Sequence, residues 1–98
     1  MRESPLTVAA DHPAFQGHFP GRPVVPAVVL LAETLAAVAA ESGRPVQRWR
    51  VANAKFTRPV GPGAALTLAR ETLASGQVRF EIREGEAVVA SGQLAPAP

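Results

Sequence analysis

Between Phe15 and Ala27 the chain carries three prolines and two glycines, a density that no regular helix or strand accommodates. Proline fixes φ and removes a donor, while glycine opens conformations closed to other residues. The stretch is therefore a stiff, shaped loop, and it holds one histidine, His18. It ends where a helix begins: Pro26 suits a first helical turn, where its missing N–H has no intrahelical partner to lose. From Val28 to Glu41 nothing breaks the helix, and Ser42-Gly43 then stops it. Glu33, Thr34 and Glu41 are the only polar side chains in that run. A helix apolar nearly all round is buried in a core or spans a membrane. At roughly 16 residues it reaches about 24 Å, short of the roughly 30 Å of a bilayer's hydrocarbon core. A central buried helix is the expectation.

The remaining elements read as strands. Leu6 to Ala9 is a short opening strand, and Asp11-His12-Pro13 turns into the loop. After the helix, Arg44-Pro45 connects to a long strand from Val46 to Phe56. Its alternation slips: Trp49 and Val51 share one parity, Ala54 and Phe56 the other, so a bulge or bend is expected near Asn53. Pro59 to Gly63 is a turn. Leu66 to Glu71 alternates, Ser75-Gly76 turns, and Val78, Phe80 and Ile82 alternate cleanly with charged neighbours. Glu84-Gly85 turns again, Glu86 to Gln93 makes a last strand, and Leu94 to Pro98 reads as a loose tail. This order predicts an α+β domain over residues 1–98, a mostly antiparallel five-stranded sheet packed on one helix.

Composition narrows the function. With 98 residues and 47% hydrophobic content the chain is one small domain, and one helix on a small sheet leaves apolar surface for association. Without cysteine there is no disulfide, thiolate nucleophile or Cys-based metal site, and a cytoplasmic location is compatible. His12 and His18 alone do not make a metal-ligand set. A formal charge of +2 is too small to argue for nucleic acid. No targeting or membrane-spanning segment is apparent.

The run His18-Phe19-Pro20-Gly21-Arg22-Pro23, followed by Pro26 and the hydrophobic helix, resembles the hot-dog-fold 3-hydroxyacyl-ACP dehydratases of fatty-acid synthesis. Lys55 to Gly63 and Val88 to Gly92 are similar to the same family, so the resemblance spans roughly Phe15 to Gly92. It implies a hot-dog fold and elimination of water from an acyl thioester on phosphopantetheine, with no other cofactor and no metal. The carrier would be an acyl carrier protein or coenzyme A, and the assembly a homodimer or higher homo-oligomer. His18 would remove the C2 proton, a task suited to a pKa near neutrality. The backbone N–H of Ala27, where the family has glycine, would hold the thioester carbonyl at the helix N terminus. Phe19, Gly21, Pro26, Val28 and Ala32 would complete the acyl site.

The chain departs from that pattern at the helix acid. The family's Glu or Asp falls on Ala32, fourteen residues after His18, and its frequent glutamine falls on Ala36. Glu33 is the nearest acid, turned by about 100° around the helix axis. It is the candidate proton donor. Arg48, Arg50, Lys55 and Arg58 crowd the segment after the helix and would dock an acidic carrier. A non-catalytic acyl-binding or pairing subunit, and a hot-dog thioesterase with Glu33 activating water, are the alternatives.

Overall fold

A computed structural model describes residues 1–7, 25 and 27–98. Five strands form one antiparallel sheet: β1 (Arg2–Thr7), β2 (Trp49–Phe56), β3 (Ala65–Thr72), β4 (Val78–Glu84) and β5 (Ala87–Pro96). Their order across the sheet is β1-β3-β4-β5-β2, with one α-helix among the described residues, α1 (Ala27–Ser42), over one face. This is the hot-dog architecture. Among the described residues no helix is long and apolar enough to cross a membrane.

The alternation of β4 is what seats the core. Phe80 and Ile82 are fully buried on the helix side, beside Leu68 of β3 and Leu94 of β5. Leu30, Thr34 and Val38 come down onto them from α1 at spacings of four, one helical face. The opposite face of the sheet is laced with ion pairs, Arg79 to Glu71 and Arg83 to Glu81 and Glu3. Ala69, fully buried, lies in register between Glu3 and Glu81.

The expected irregularity near Asn53 is a register shift between Val51 and Asn53. Its effect is to reconcile the two parities. Trp49 and Val51 pair with Pro96 and Leu94, and Ala54 and Phe56 pair with Gly92 and Ala90, so all four face the helix side. Arg50, Asn53 and Lys55 fall on the other side.

Four expectations need correction. The opening strand, Arg2–Thr7 among the described residues, begins four residues before the expected Leu6, and Val8 and Ala9 lie outside the described residues. Val46 to Arg48 is a 3-10 turn preceding β2. The supposed tail is strand: Leu94 and Ala95 are buried, and β5 continues to Pro96. Pro96 is tolerated because β4 begins at Val78, opposite Leu94, leaving only β2 alongside it. Finally, α1 is not buried all round in the single chain. Val28 is 68% exposed, and Ala32, Ala36 and Ala40 follow it on the surface at spacings of four. One helix has only one sheet face to pack on, so its far side stays uncovered.

The two sheet edges differ. β1 carries Pro5, which blunts an edge by removing a donor. β2 has no proline, and beyond half-buried Trp49 all its residues are exposed, Val51 and Phe56 included.

Candidate active site

The N-terminal turn of α1 opens onto a cavity of about 290 Å³. Ala27 and Leu30 supply one wall, Phe56 and the segment Thr57 to Val60 another, and Val25 the approach. Local hydrogen bonds fix this frame. The Val25 N–H donates to the Val60 carbonyl at 2.7 Å, joining Val25 to the turn after β2. Thr57 is held twice, its N–H by the Val89 carbonyl at 3.0 Å and its hydroxyl by the Val88 carbonyl at 2.9 Å. Val60 is buried, so the turn is anchored by side chain as well as backbone.

The first amides of a helix have no intrahelical acceptor, and the helix dipole adds about half a positive charge there. A carbonyl oxygen that gains negative charge during reaction is stabilised at such a point. Ala27 is the first helical residue and its exposed side chain lines the cavity. Arg58 lines the same cavity and brings a positive charge to it.

His18, Phe19, Gly21 and Pro26 lie outside the described residues. Val28 and Ala32 stand on the exposed face of α1, and Glu33 is half-buried, between that face and the sheet-facing one, with no ion-pair partner among the described residues. Arg48, Arg50, Lys55 and Arg58 are all exposed but are not gathered into one patch. Arg48 precedes β2 and Arg58 follows it, so they flank opposite ends of a strand of roughly 26 Å. Arg50 and Lys55 lie between, on the outer face.

Phe56, Thr57 and Val60 belong to this cavity and were not among the residues singled out from sequence. An apolar residue ending a strand just before a Pro-Gly turn was the available signal. Among the described residues no three acidic or histidine side chains gather as metal ligands.

The fold class is a hot-dog domain with a largely apolar cavity at the N terminus of its helix. The comparisons narrow the class: the family model for ApeI-like proteins, described as ApeI dehydratase, matches residues 2–93. The chain belongs to the ApeI-like dehydratase family. It is 34% identical over 101 residues to the 3-hydroxyacyl-[acyl-carrier-protein] dehydratase FabZ of Caulobacter vibrioides, covering 90% of this chain and 64% of that protein. It is 43% identical over 71 residues to the FabZ of Gluconacetobacter diazotrophicus, covering 62% of this chain and 44% of that protein. The chain thus spans between about half and two thirds of these relatives' length. In three dimensions it resembles the dehydratase heterocomplex ApeI:P from Xenorhabdus doucetiae, with a TM-score of 0.76 at 20% identity, covering 98% of this chain and 86% of that one. At that identity the likeness speaks to the fold.

Proposed function

We propose that this chain is a 3-hydroxyacyl-thioester dehydratase, acting on an acyl group carried by pantetheine and releasing water to leave a 2-enoyl thioester. The observation that carries this reading is the start of α1 at Ala27, opening into the cavity closed by Phe56 and Val60. The thioester carbonyl accepts a hydrogen bond from the Ala27 N–H. As His18 takes the C2 proton, negative charge builds on that oxygen, and the helix N terminus meets it. The electron pair left at C2 forms the double bond as the C3–O bond breaks.

The departing hydroxide needs a proton, and Glu33 is the residue assigned to supply it. Ala32, in the position where the family resemblance expects an acid, leaves only a methyl group, so the activity is weak. Phe19, Gly21, Pro26, Val28 and Ala32 complete the acyl-binding surface. No bound metal or cofactor enters, since pantetheine arrives with the substrate. The carrier is an acyl carrier protein or coenzyme A, met by Arg58 at the cavity with Lys55, Arg50 and Arg48 along β2. The setting is the cytoplasm, with which a cysteine-free sequence is compatible.

A second hot-dog subunit covers the exposed stripe of α1 and the open edge of β2. A second copy of this chain is the occupant we propose, giving a homodimer; the ApeI neighbour is a heterocomplex, which makes a non-identical subunit the other occupant to test. Incubation with a 3-hydroxyacyl pantetheine thioester tests the whole reading by its products. The 2-enoyl thioester supports it. Free acid with released thiol makes the chain a thioesterase, and binding without turnover makes it an acyl-binding subunit.

A further inference from the structure

A larger cavity, of about 550 Å³, lies at the other end of α1. That volume is within the range of small-molecule sites, roughly 300–1,000 Å³. Its apolar part is Val38 of the helix, Val78 of β4, Trp49 and Met1. Val38 and Val78 are buried, so they form a fixed floor.

The polar part is unbalanced. Arg2 and Arg70 both lean on one carboxylate, Glu41, Arg2 at 2.5 Å. The Arg70 side chain is only 11% exposed, and its guanidinium is further held by the Ser4 hydroxyl at 2.8 Å and the Leu68 carbonyl at 3.3 Å. The other acid of the cavity, Glu71, is engaged by Arg79 at 2.5 Å. Arg79 does not itself line the cavity, so at its rim two guanidiniums share the one carboxylate of Glu41, an excess of one positive charge. The C terminus of α1 offsets roughly half a charge at most, and its Ala39 carbonyl is already taken by the Gly43 N–H. The Trp49 Nε1–H is buried with no acceptor among the described residues, and an unmet buried donor is rare in a folded protein.

The geometry points to a second ligand site at the C-terminal end of α1 that takes an aliphatic carboxylate. The alkyl chain lies against Val38 and Val78, and the carboxylate meets Arg2 and Arg70 at the rim. An acceptor oxygen reaches the indole N–H once the ring shifts. This site is separated from the Ala27 cavity by the length of the helix and by Leu30 and Thr34, which are buried against the sheet.

Trp49 is the chain's single tryptophan, so its fluorescence reports on this cavity directly. Titration of the full chain with octanoate, with octanol as the uncharged control, is the test. The expected result is a saturable change in emission with octanoate at lower concentration than with octanol. Arg2 is 71% exposed on its side chain, so Arg2→Gln leaves the fold intact. It should weaken octanoate about two- to five-fold, the scale of an exposed ion pair, and leave octanol unchanged. Equal binding of octanol and octanoate, or octanoate binding indifferent to Arg2→Gln, overturns the carboxylate site. So does the absence of any saturable emission change or calorimetric heat at millimolar octanoate.

Discussion

A Cβ placed on Gly92 would stand 2.3 Å from the carbonyl oxygen of Asn53, closer than any real Cβ approaches another atom. Gly92 is where β5 passes the bulge of β2, and Ala54 Cα is also only 2.9 Å from the same point. The contact is backbone on one side, so no flexible side chain can yield. Gly92→Ala should destabilise the chain by about 3 kcal/mol, at the upper end of overpacking costs. Urea denaturation measures this. A loss below about 0.5 kcal/mol would mean the two strands separate freely at the bulge.

Glu41→Gln tests the cluster that fastens β1 and β3 to the last turn of α1. The substitution keeps the shape but leaves Arg70, almost wholly covered, with its charge met only by Ser4 and Leu68. Removing one partner of a largely buried pair leaves the other charge uncompensated. Glu41 and Arg2 are partly in solvent, so the expected loss is about 1–3 kcal/mol. Thr34→Val is the contrasting case. Its buried hydroxyl donates only to the Leu30 carbonyl of its own helix, at 2.8 Å, so the isosteric swap should stay within about 1 kcal/mol.

These cases mark what was legible in the sequence. β4 was, because Val78, Phe80 and Ile82 alternate against charged residues and a half-buried strand has no other period. The bulge was also, because Trp49 and Val51 cannot share a face with Ala54 and Phe56 without one. The end of β5 was not: Pro96 and Pro98 read as a tail, and only the early start of β4 makes room for Pro96. The exposed stripe of α1 was hidden, since Ala32 and Ala36 are as apolar as the buried face. The Arg2–Glu41–Arg70 cluster joins residues far apart in the chain, which no local pattern announces.

Self-association should be visible by sedimentation velocity at micromolar concentration, as a species of twice the chain's mass. Ala36→Arg inserts a charge on the exposed stripe of α1 while leaving the folded chain within about 0.5 kcal/mol. It should return the dimer to monomer. A wild-type chain that sediments only as a monomer would remove the homodimer and leave a non-identical subunit as the occupant.

Docking of a carrier through Arg58 and its neighbours should weaken as salt rises, because exposed charges more than a Debye length apart, about 8 Å at physiological ionic strength, are screened. Reversing two of them, Lys55→Glu with Arg58→Glu, should reduce carrier binding and leave the urea midpoint unchanged. Binding that ignores both salt and charge reversal would assign these residues to a solvated surface alone.

The reaction we propose for the cavity at Ala27 is dehydration of a 3-hydroxyacyl thioester, with His18 as base and an incomplete acid. A placed acid contributes about 10²- to 10⁴-fold in rate. The most direct measurement is the rate of 2-enoyl thioester formation by the wild-type chain, His18→Ala, Ala32→Glu and Glu33→Gln. Slow formation is expected from the wild type, none from His18→Ala, a gain with Ala32→Glu and a loss with Glu33→Gln. Dehydration that persists in His18→Ala, or release of free thiol in place of the enoyl product, would contradict it.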